Sequence, residues 1–404
     1  MREAMAVIGS GYGDEGKGLM TDYLARQGAD VVVRTNGGAQ AGHTVVLPDG
    51  RRHVFHHVGS GALAGLPTHL SRYFVSNPMF LLQELDSLRR MGARTDISAD
   101  PRGYVTTPYD VMINQIVEEA RGASRHGSCG LGFGETIERC ENSVLGLTVA
   151  EMTDGTFRLA DRLDRIRREW LPQRLLKLGI KDVPRHWLEI VRDDAILERY
   201  LHDIAGFSDA VSIVNDRDLA GEVLFEGAQG LMLDQDYGHF PHVTRSNTGL
   251  RNMVEVAAEA GIGLISAVYV TRAYATRHGA GPLEHEADTV PGITPIDETN
   301  VPNDWQGMQR VAPLDLDILK GAVEHDMRYG TADVKVDASL ALTCLDQVED
   351  RFAFFKDGHV QLDGEGAFAA EVSAKTGLEV EYLSHGPSCA SVETVKANRK
   401  PAAA

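Results

Sequence analysis

Cysteine is scarce. The chain has four in 404 residues (Cys129, Cys140, Cys344 and Cys389), scattered and with no CxxC pair. That pattern suggests a reducing compartment and no structural zinc. No run approaches the roughly 18 apolar residues of a spanning helix, and the N-terminus lacks the basic and apolar regions of a signal peptide. A cytoplasmic protein without a membrane contact is therefore expected. Positive charge is also short. The formal net charge of -18 argues against a nucleic-acid-binding surface, and anionic ligands then need local positive sites such as Lys17, Arg34 and helix N-termini. What remains, 43% hydrophobic and 24% charged residues, is the make-up of an ordinary soluble protein long enough to bury a large core. There is no internal repeat and no long linker. Residues 1–395 read as a single domain and 396–404 as a frayed tail.

Two Gly-rich stretches near the N-terminus carry the chemistry. The first, Gly9-Ser10-Gly11-Tyr12-Gly13-Asp14-Glu15-Gly16-Lys17-Gly18, lies between an apolar run, Ala4 to Ile8, and a helical pattern in Leu19, Met20, Tyr23 and Leu24. Gly11-x-x-x-x-Gly16-Lys17 has the spacing of a phosphate loop at a helix N-terminus, where free N–H groups favour anions. Gly18 stands where such loops carry the Ser or Thr that holds magnesium, and the loop supplies a carboxylate, Asp14, instead. Asp14 suits either magnesium binding or proton removal from a substrate. A surface turn would explain the Gly and Asp content but not the agreement of strand, spacing, lysine and helix. The second stretch, Gly37 to Thr44, follows an expected buried strand over residues 30–35 and places His43 at its exit, a candidate proton donor or phosphate contact.

Further along, the turn at Pro48-Asp49-Gly50 predicts a hairpin with a strand near residues 52–58, carrying His53, His56 and His57. On alternating strand positions these histidines read as core and rim more readily than as a metal site. A strand is expected at Tyr73-Phe74-Val75, helices from Pro78 and from Thr107 to about Arg121, and a mainly helical region over residues 148–206. Later strands are expected at Val223 to Phe225, Val268 to Val270, Asp333 to Val336 and Ala341 to Thr343. The alternation of strands and helices predicts an α/β fold, P-loop-NTPase-like, with a mostly parallel central sheet flanked by helices and with helical and small β subregions.

Gly-Asp-Glu-Gly-Lys-Gly at 13–18 followed by Gly37-Gly38-Ala39-Gln40-Ala41-Gly42-His43-Thr44 resembles the adenylosuccinate synthetases, ligases that join aspartate to C6 of a 6-oxopurine nucleotide using a nucleoside triphosphate. The resemblance continues through Phe225 to Gly230, Pro241 to Thr244, Thr276 to Pro282, Thr343 to Asp346 and His385 to Pro387, nearly the whole chain. It implies triphosphate contacts at Gly13, Asp14, Glu15, Gly16, Lys17, Gly18, Gly42, His43, Thr44, Asp346 and Gly386. It implies purine-nucleotide contacts at Asp14, Gln40, Ser128, Cys129, Arg139, Gln229 and Thr244, with Arg139 the nearest match to an arginine that reaches into the partner subunit of a homodimer. For aspartate the corresponding stretch offers Thr299, Val301, Asn303, Gln309 and Arg310. Magnesium (Mg2+) would be held by Asp14 and the Gly42 carbonyl. In the reaction so implied, Asp14 takes the N1 proton, Lys17 neutralises phosphate charge, and His43 donates a hydrogen bond to the transferring group.

Three departures bear on the substrate. The family's Thr-Lys-x-Asp, which recognises guanine, is here Thr343-Cys344-Leu345-Asp346. The arginine-rich aspartate loop matches only at Arg310, and an ordinary exposed arginine explains that position nearly as well. Ser128 and Cys129 hold two threonine positions of the 5′-phosphate loop. Together they resemble the phage-type branch that takes dGMP, typically with ATP or dATP, to make N6-succino-2-amino-2′-deoxyadenylate for 2-aminoadenine DNA. Asp14 is the rule in the IMP enzymes, which use GTP, whereas many of the phage branch have Ser or Thr there. Two other readings stay open: a GTP-binding regulator without ligase activity, and a nucleotide kinase.

Overall fold

The structure, a computed structural model, describes residues 1–122, 128–155, 158–296 and 309–395. Among these, ten strands form one twisted sheet. Their spatial order is Val392–Thr394, Val380–Ser384, Lys335–Thr343, Ile262–Arg272, Arg2–Gly9, Val223–Gly230, Val31–Arg34, Thr68–Leu70, Ile97–Ala99 and Val211–Ile213. Every neighbouring pair is parallel except the first, which is antiparallel. The central strands are apolar on both faces, as Val31-Val32-Val33 and Val223-Leu224-Phe225 show, because helices cover both sides. Three further elements matter for the site: β1 (Arg2–Gly9), α1 (Lys17–Ala25) and β2 (Val31–Arg34).

On one face of the sheet Ile8, Ile265, Tyr269 and Leu340 pack with helices Leu250–Glu259, Leu316–Met327 and Glu365–Thr376. On the other, Val7, Val32 and Val268 pack under α1 through Leu19, Met20 and Leu24. A separate hydrophobic cluster fills the helical region, joining α2 (Pro78–Arg90) and α3 (Pro108–Arg121) to the helices of residues 149–210. Both α2 and α3 begin with Pro after a capping residue, Asn77 and Thr107, and Thr107 forms a reciprocal capping box with Asp110. No helix among the described residues is long and apolar enough to cross a membrane.

Several expectations are corrected. Tyr73 and Phe74 lie in a turn closed by Phe74 N–H on Ser71 O (2.9 Å), Phe74 plugs the core beneath the Arg34 guanidinium, and only Val75 is extended, in an isolated parallel bridge to Gly38. The adjacent strand is Thr68–Leu70. The hairpin pairs β3 (His43–Val46) with β4 (Arg52–Phe55) and stops there, because the Glu84 carboxylate accepts the next two amides, His56 and His57 (2.8 Å each). The two late strands are one, Lys335–Thr343, paired along its whole length with Ile262–Arg272. A four-stranded sheet, Tyr274–Arg277, Arg310–Asp315, Phe352–Lys356 and His359–Asp363, stands beside the main one.

Arg139 is the largest correction. It lies in α4 (Phe133–Asn142) and is wholly buried. Its Nε and Nη2 donate to the two oxygens of Asp110 (2.9 and 2.8 Å), and the remaining N–H groups reach Leu145 O and Val105 O (2.8 Å each). The side chain is a bolt between α3 and α4, buried and bonded within its own chain. Arg139→Ala leaves Asp110 a buried, uncompensated charge, so a loss of about 3–5 kcal/mol is expected in urea unfolding. An unchanged midpoint would reject the bolt.

Candidate active site

The parallel strands end together at Gly9, Gly230, Arg34, Arg272 and Thr343, and the site is built on that edge, where open α/β sheets bind ligands. The loop after β1 is packed without slack. A Cβ on Gly9 would lie 2.3 Å from Glu15 Oε2, and one on Gly230 would lie 2.2 Å from Gly11 O. Gly16 caps α1 with φ 95°, and Asp14 is held at φ 62° while its carbonyl accepts from Arg272 Nε (2.6 Å). Across the loop, the Thr343 hydroxyl donates to Glu15 O (2.7 Å), tying in the turn that carries Cys344 and the exposed Asp346. Gly386 follows the neighbouring Val380–Ser384 strand, and its segment bridges to Val46 through Ser388. The triphosphate candidates thus share one edge of the sheet.

Glu15 behaves differently from a ligand contact. Its buried carboxylate accepts the Gly11 and Gly13 amides (3.0 and 2.8 Å) and the Lys17 ammonium (2.5 Å). The loop closes around its own anion, so only the Glu15 backbone is left to serve a phosphate. Gly18 also has a physical reason. A Cβ there would sit 2.6 Å from Thr44 O, because β3 packs directly on the first turn of α1. The magnesium-binding hydroxyl of a standard phosphate loop does not fit.

His43 is buried at the start of β3, with Nδ1 2.6 Å from Glu226 Oε1. Glu226 also accepts Ser60 Oγ (2.5 Å) and Ser60 N (3.0 Å) and faces Arg34 at 3.9 Å. Burial pushes the imidazole pKa down to about 4 despite the pull of Glu226. Burial alone would raise the Glu226 carboxyl, but Arg34, His43 and Ser60 outweigh it and hold it near 2. Neutral His43 therefore gives its Nδ1 proton to Glu226 and presents Nε2, unpartnered among the described residues, as an acceptor. It donates only once an anion draws a proton onto it. The sequence placed Glu226 within a motif but gave no sign that it orients His43.

Asp14 is half-buried. Burial raises its carboxyl, and Arg272, Lys17 and His278 oppose that rise. Asp14 and the carbonyl of exposed Gly42 are hard oxygen donors of the kind magnesium takes, alongside phosphates and water. Gln40 lies on the second Gly-rich loop, and Gln229 (φ 66°) lies near the end of the Val223–Gly230 strand. Phe133, at the start of α4, would lie 3.4 Å from a Cβ on Gly38, which brings the Ser128 loop end against the second Gly-rich stretch. The Ser128 hydroxyl is already engaged, by Asn114 Nδ2 (2.8 Å) and Gly130 N (3.3 Å), while Cys129 is half-buried. Thr244 is half-buried and donates its amide to Leu233 O (2.8 Å). Arg310 is committed to Glu286 (2.7 Å) and to the carbonyls of Gly279 and Gly281 (2.8 and 2.9 Å), so an aspartate carboxylate would have to displace one of them. Gln309 adjoins it, whereas Thr299, Val301 and Asn303 lie outside the described residues. His56 Nδ1 bonds Ala39 O (2.9 Å) and braces the second Gly-rich loop, whereas His57 accepts the N–H of Asn77 on Nε2 (3.0 Å) and braces the start of α2.

A family model described as adenylosuccinate synthetase matches residues 6–351. The chain belongs to the adenylosuccinate synthetase family. Relatives in the family include the adenylosuccinate synthetase of Mycobacterium marinum, 35% identical over 295 residues, or 70% of this chain and 65% of that protein. That of Clostridium botulinum is 32% identical over 367 residues, 84% and 79%. The chain thus spans just under two thirds of the first of these relatives. Among solved structures, fully ligated adenylosuccinate synthetase from Plasmodium falciparum superposes with a TM-score of 0.72 at 17% identity, covering 97% of this chain and 100% of that one. Succinoaminodeoxyadenylate synthetase of cyanophage S-2L, solved with dGMP and dATP, gives 0.62 at 16% identity, covering 98% and 96%. Both likenesses support the same α/β fold.

Two outcomes test the site. Gly18→Ser, which restores the usual phosphate-loop residue, is expected to lower the melting temperature and weaken nucleotide binding at least tenfold in calorimetry, because Thr44 O must move. Retained affinity would show that β3 shifts freely. In a carbon-13 NMR titration of the ligand-free protein, the Asp14 carboxyl is expected to titrate above the ordinary value of about 4. A midpoint at or below that value would mean that Arg272 and Lys17 prevail over burial.

Proposed function

We propose that the protein is a C–N ligase that condenses L-aspartate with C6 of a 6-oxopurine nucleotide, driven by a nucleoside triphosphate. The observation that carries this reading is the pairing of a raised carboxyl, Asp14, with a buried neutral imidazole, His43, on either side of a phosphate-loop lysine. A 6-oxopurine has a poor leaving group at C6. Asp14 takes the N1 proton, which moves electron density onto O6, and O6 attacks the γ-phosphorus. Lys17 steadies the transferring phosphoryl group. The triphosphate's charge draws a proton onto His43 Nε2, with Glu226 balancing the imidazolium, and His43 then donates to the departing oxygen. The aspartate amine attacks C6, and inorganic phosphate leaves with O6. Magnesium, held by Asp14 and Gly42 O, would supply charge neutralisation at the phosphates.

For the nucleotide we propose dGMP, with ATP or dATP as donor, giving N6-succino-2-amino-2′-deoxyadenylate. Support comes from the lost lysine at Cys344, which removes a guanine-reading cation beside Asp346, and from the altered loops at Ser128 and Arg310. IMP with GTP is the second reading, favoured by the retained Asp14 and by the activity named for the curated relatives. A homodimer is proposed on the family resemblance alone.

The test supplies magnesium, aspartate and ATP or GTP with dGMP or IMP in parallel, reads the succino adduct by mass, and sizes the same preparation by light scattering. Product from dGMP alone supports the dGMP reading. Product from IMP alone replaces it with adenylosuccinate synthesis. No adduct from either would sink the ligase, in favour of a kinase if phosphorylated nucleotide forms and of a regulator if none does. A fully active monomer would reject the dimer.

A further inference from the structure

The turn after the Tyr274–Arg277 strand is clamped from two directions. Arg310 Nη2 donates to Gly279 O (2.8 Å) and Gly281 O (2.9 Å). Arg277 Nη1 donates to Pro282 O (2.7 Å), and its Nη2 reaches across to His242 O (2.9 Å). Gly281, at φ 108°, passes so close to Arg277 that a Cβ there would lie 2.3 Å from the guanidinium. Three of these hydrogen bonds hold the turn, whose first residue is His278, and the fourth anchors Arg277 itself. Both nitrogens of the His278 ring are shut off from solvent, and neither has a hydrogen-bond partner among the described residues. Leaving such groups unpaired is costly, and ligand-binding positions are where proteins tolerate it. The Arg277 guanidinium also lies over the Tyr12 ring, 4.6 Å from its centroid, which sets this turn beside the loop that carries Asp14.

The sheet order fixes the side from which His278 approaches. Across the site run Ile262–Arg272, β1, Val223–Gly230 and β2. His43 takes its anchors, Glu226 and Arg34, from the last two strands. His278 follows the first, on the opposite side of β1 and of the Asp14 loop. Around a 6-oxopurine ring the groups run O6, N1, C2. In the reaction proposed above N1–H meets Asp14 and O6 meets Lys17 and His43, which leaves C2 for the opposite side, where the strand leading to His278 lies.

We propose that His278 is a specificity-determining residue whose bare ring nitrogen accepts a hydrogen bond from an amino group at C2 of the bound purine nucleotide. The assignment rests on the dGMP reading above and names the side chain that would carry it. A neutral imidazole offers one acceptor and one donor at fixed angles, so it rewards a purine with a 2-amino group and gives nothing to one with hydrogen at C2.

Four nucleotides separate base from sugar. dGMP and GMP carry the 2-amino group, while dIMP and IMP lack it; GMP and IMP carry the 2′-hydroxyl, while dGMP and dIMP lack it. Each is titrated calorimetrically into the wild-type protein, His278→Val and His278→Gln, and turnover is read in parallel. Expected is a loss of about tenfold in affinity for dGMP and GMP in His278→Val, the value of one hydrogen bond. dIMP and IMP should be unchanged, and His278→Gln, which keeps an acceptor, should recover most of the loss. An equal loss on all four would make His278 a packing residue. A loss confined to GMP and IMP would make it a sugar contact, and no loss would leave it without a role; each overturns the proposal. If the wild type turns over IMP alone yet the affinities follow the 2-amino group, the dGMP reading fails and the His278 assignment stands. If the wild type binds none of the four, both fall.

Discussion

The Glu226 carboxylate is the point on which the site hangs. It is fully buried within the central Val223–Gly230 strand, and burying an unpaired carboxylate would cost several kcal/mol. Two hydrogen bonds from Ser60, one from His43 and the nearby Arg34 guanidinium compensate it. Those partners come from the short helix Ser60–Ala64, the hairpin and β2, so one charge sets the relative positions of three segments. The consequence for chemistry is direct. His43 is locked into the tautomer with Nδ1 protonated, and its other nitrogen is left for a ligand.

Glu15 repeats the device at the phosphate loop. Its carboxylate holds two loop amides and the Lys17 ammonium, so the loop carries a negative partner of its own. Arg272 on Asp14 O, and Arg310 on the Gly279 and Gly281 carbonyls, are likewise matched internally. Phosphates and carboxylates arriving at these cations therefore exchange partners with the protein. Exchange costs less desolvation than uncovering a bare buried charge would. It also makes specificity depend on what each ligand offers in return.

The tight glycines set limits on variation. Gly9, Gly18 and Gly230 sit where a Cβ would meet backbone or carboxylate atoms within 2.6 Å. Gly18 explains a departure that looked chemical in the sequence. The missing Ser or Thr is a matter of room under β3, and the loop's oxygen donor moves to Asp14.

Residue order along the chain was enough to announce a phosphate loop between a strand and a helix, a second Gly-rich loop ending in His43, and an α/β sheet, because those signals are local: spacing, periodicity and turn chemistry within some ten residues. It misjudged Tyr73 and Phe74, since apolar residues can plug a core as readily as they can pair, and only Val75 forms a bridge there. It misjudged Arg139, since a surface arginine and a buried one read alike until Asp110, in the neighbouring helix α3, is seen to meet it. Only the tertiary structure decided that Glu226 orients His43 across 183 residues, that Glu15 closes its own loop, and that the turn carrying His278 meets the Asp14 loop from the strand on the other side of β1. Those relations depend on strand order and on burial, which bring together charges that no spacing in the sequence connects.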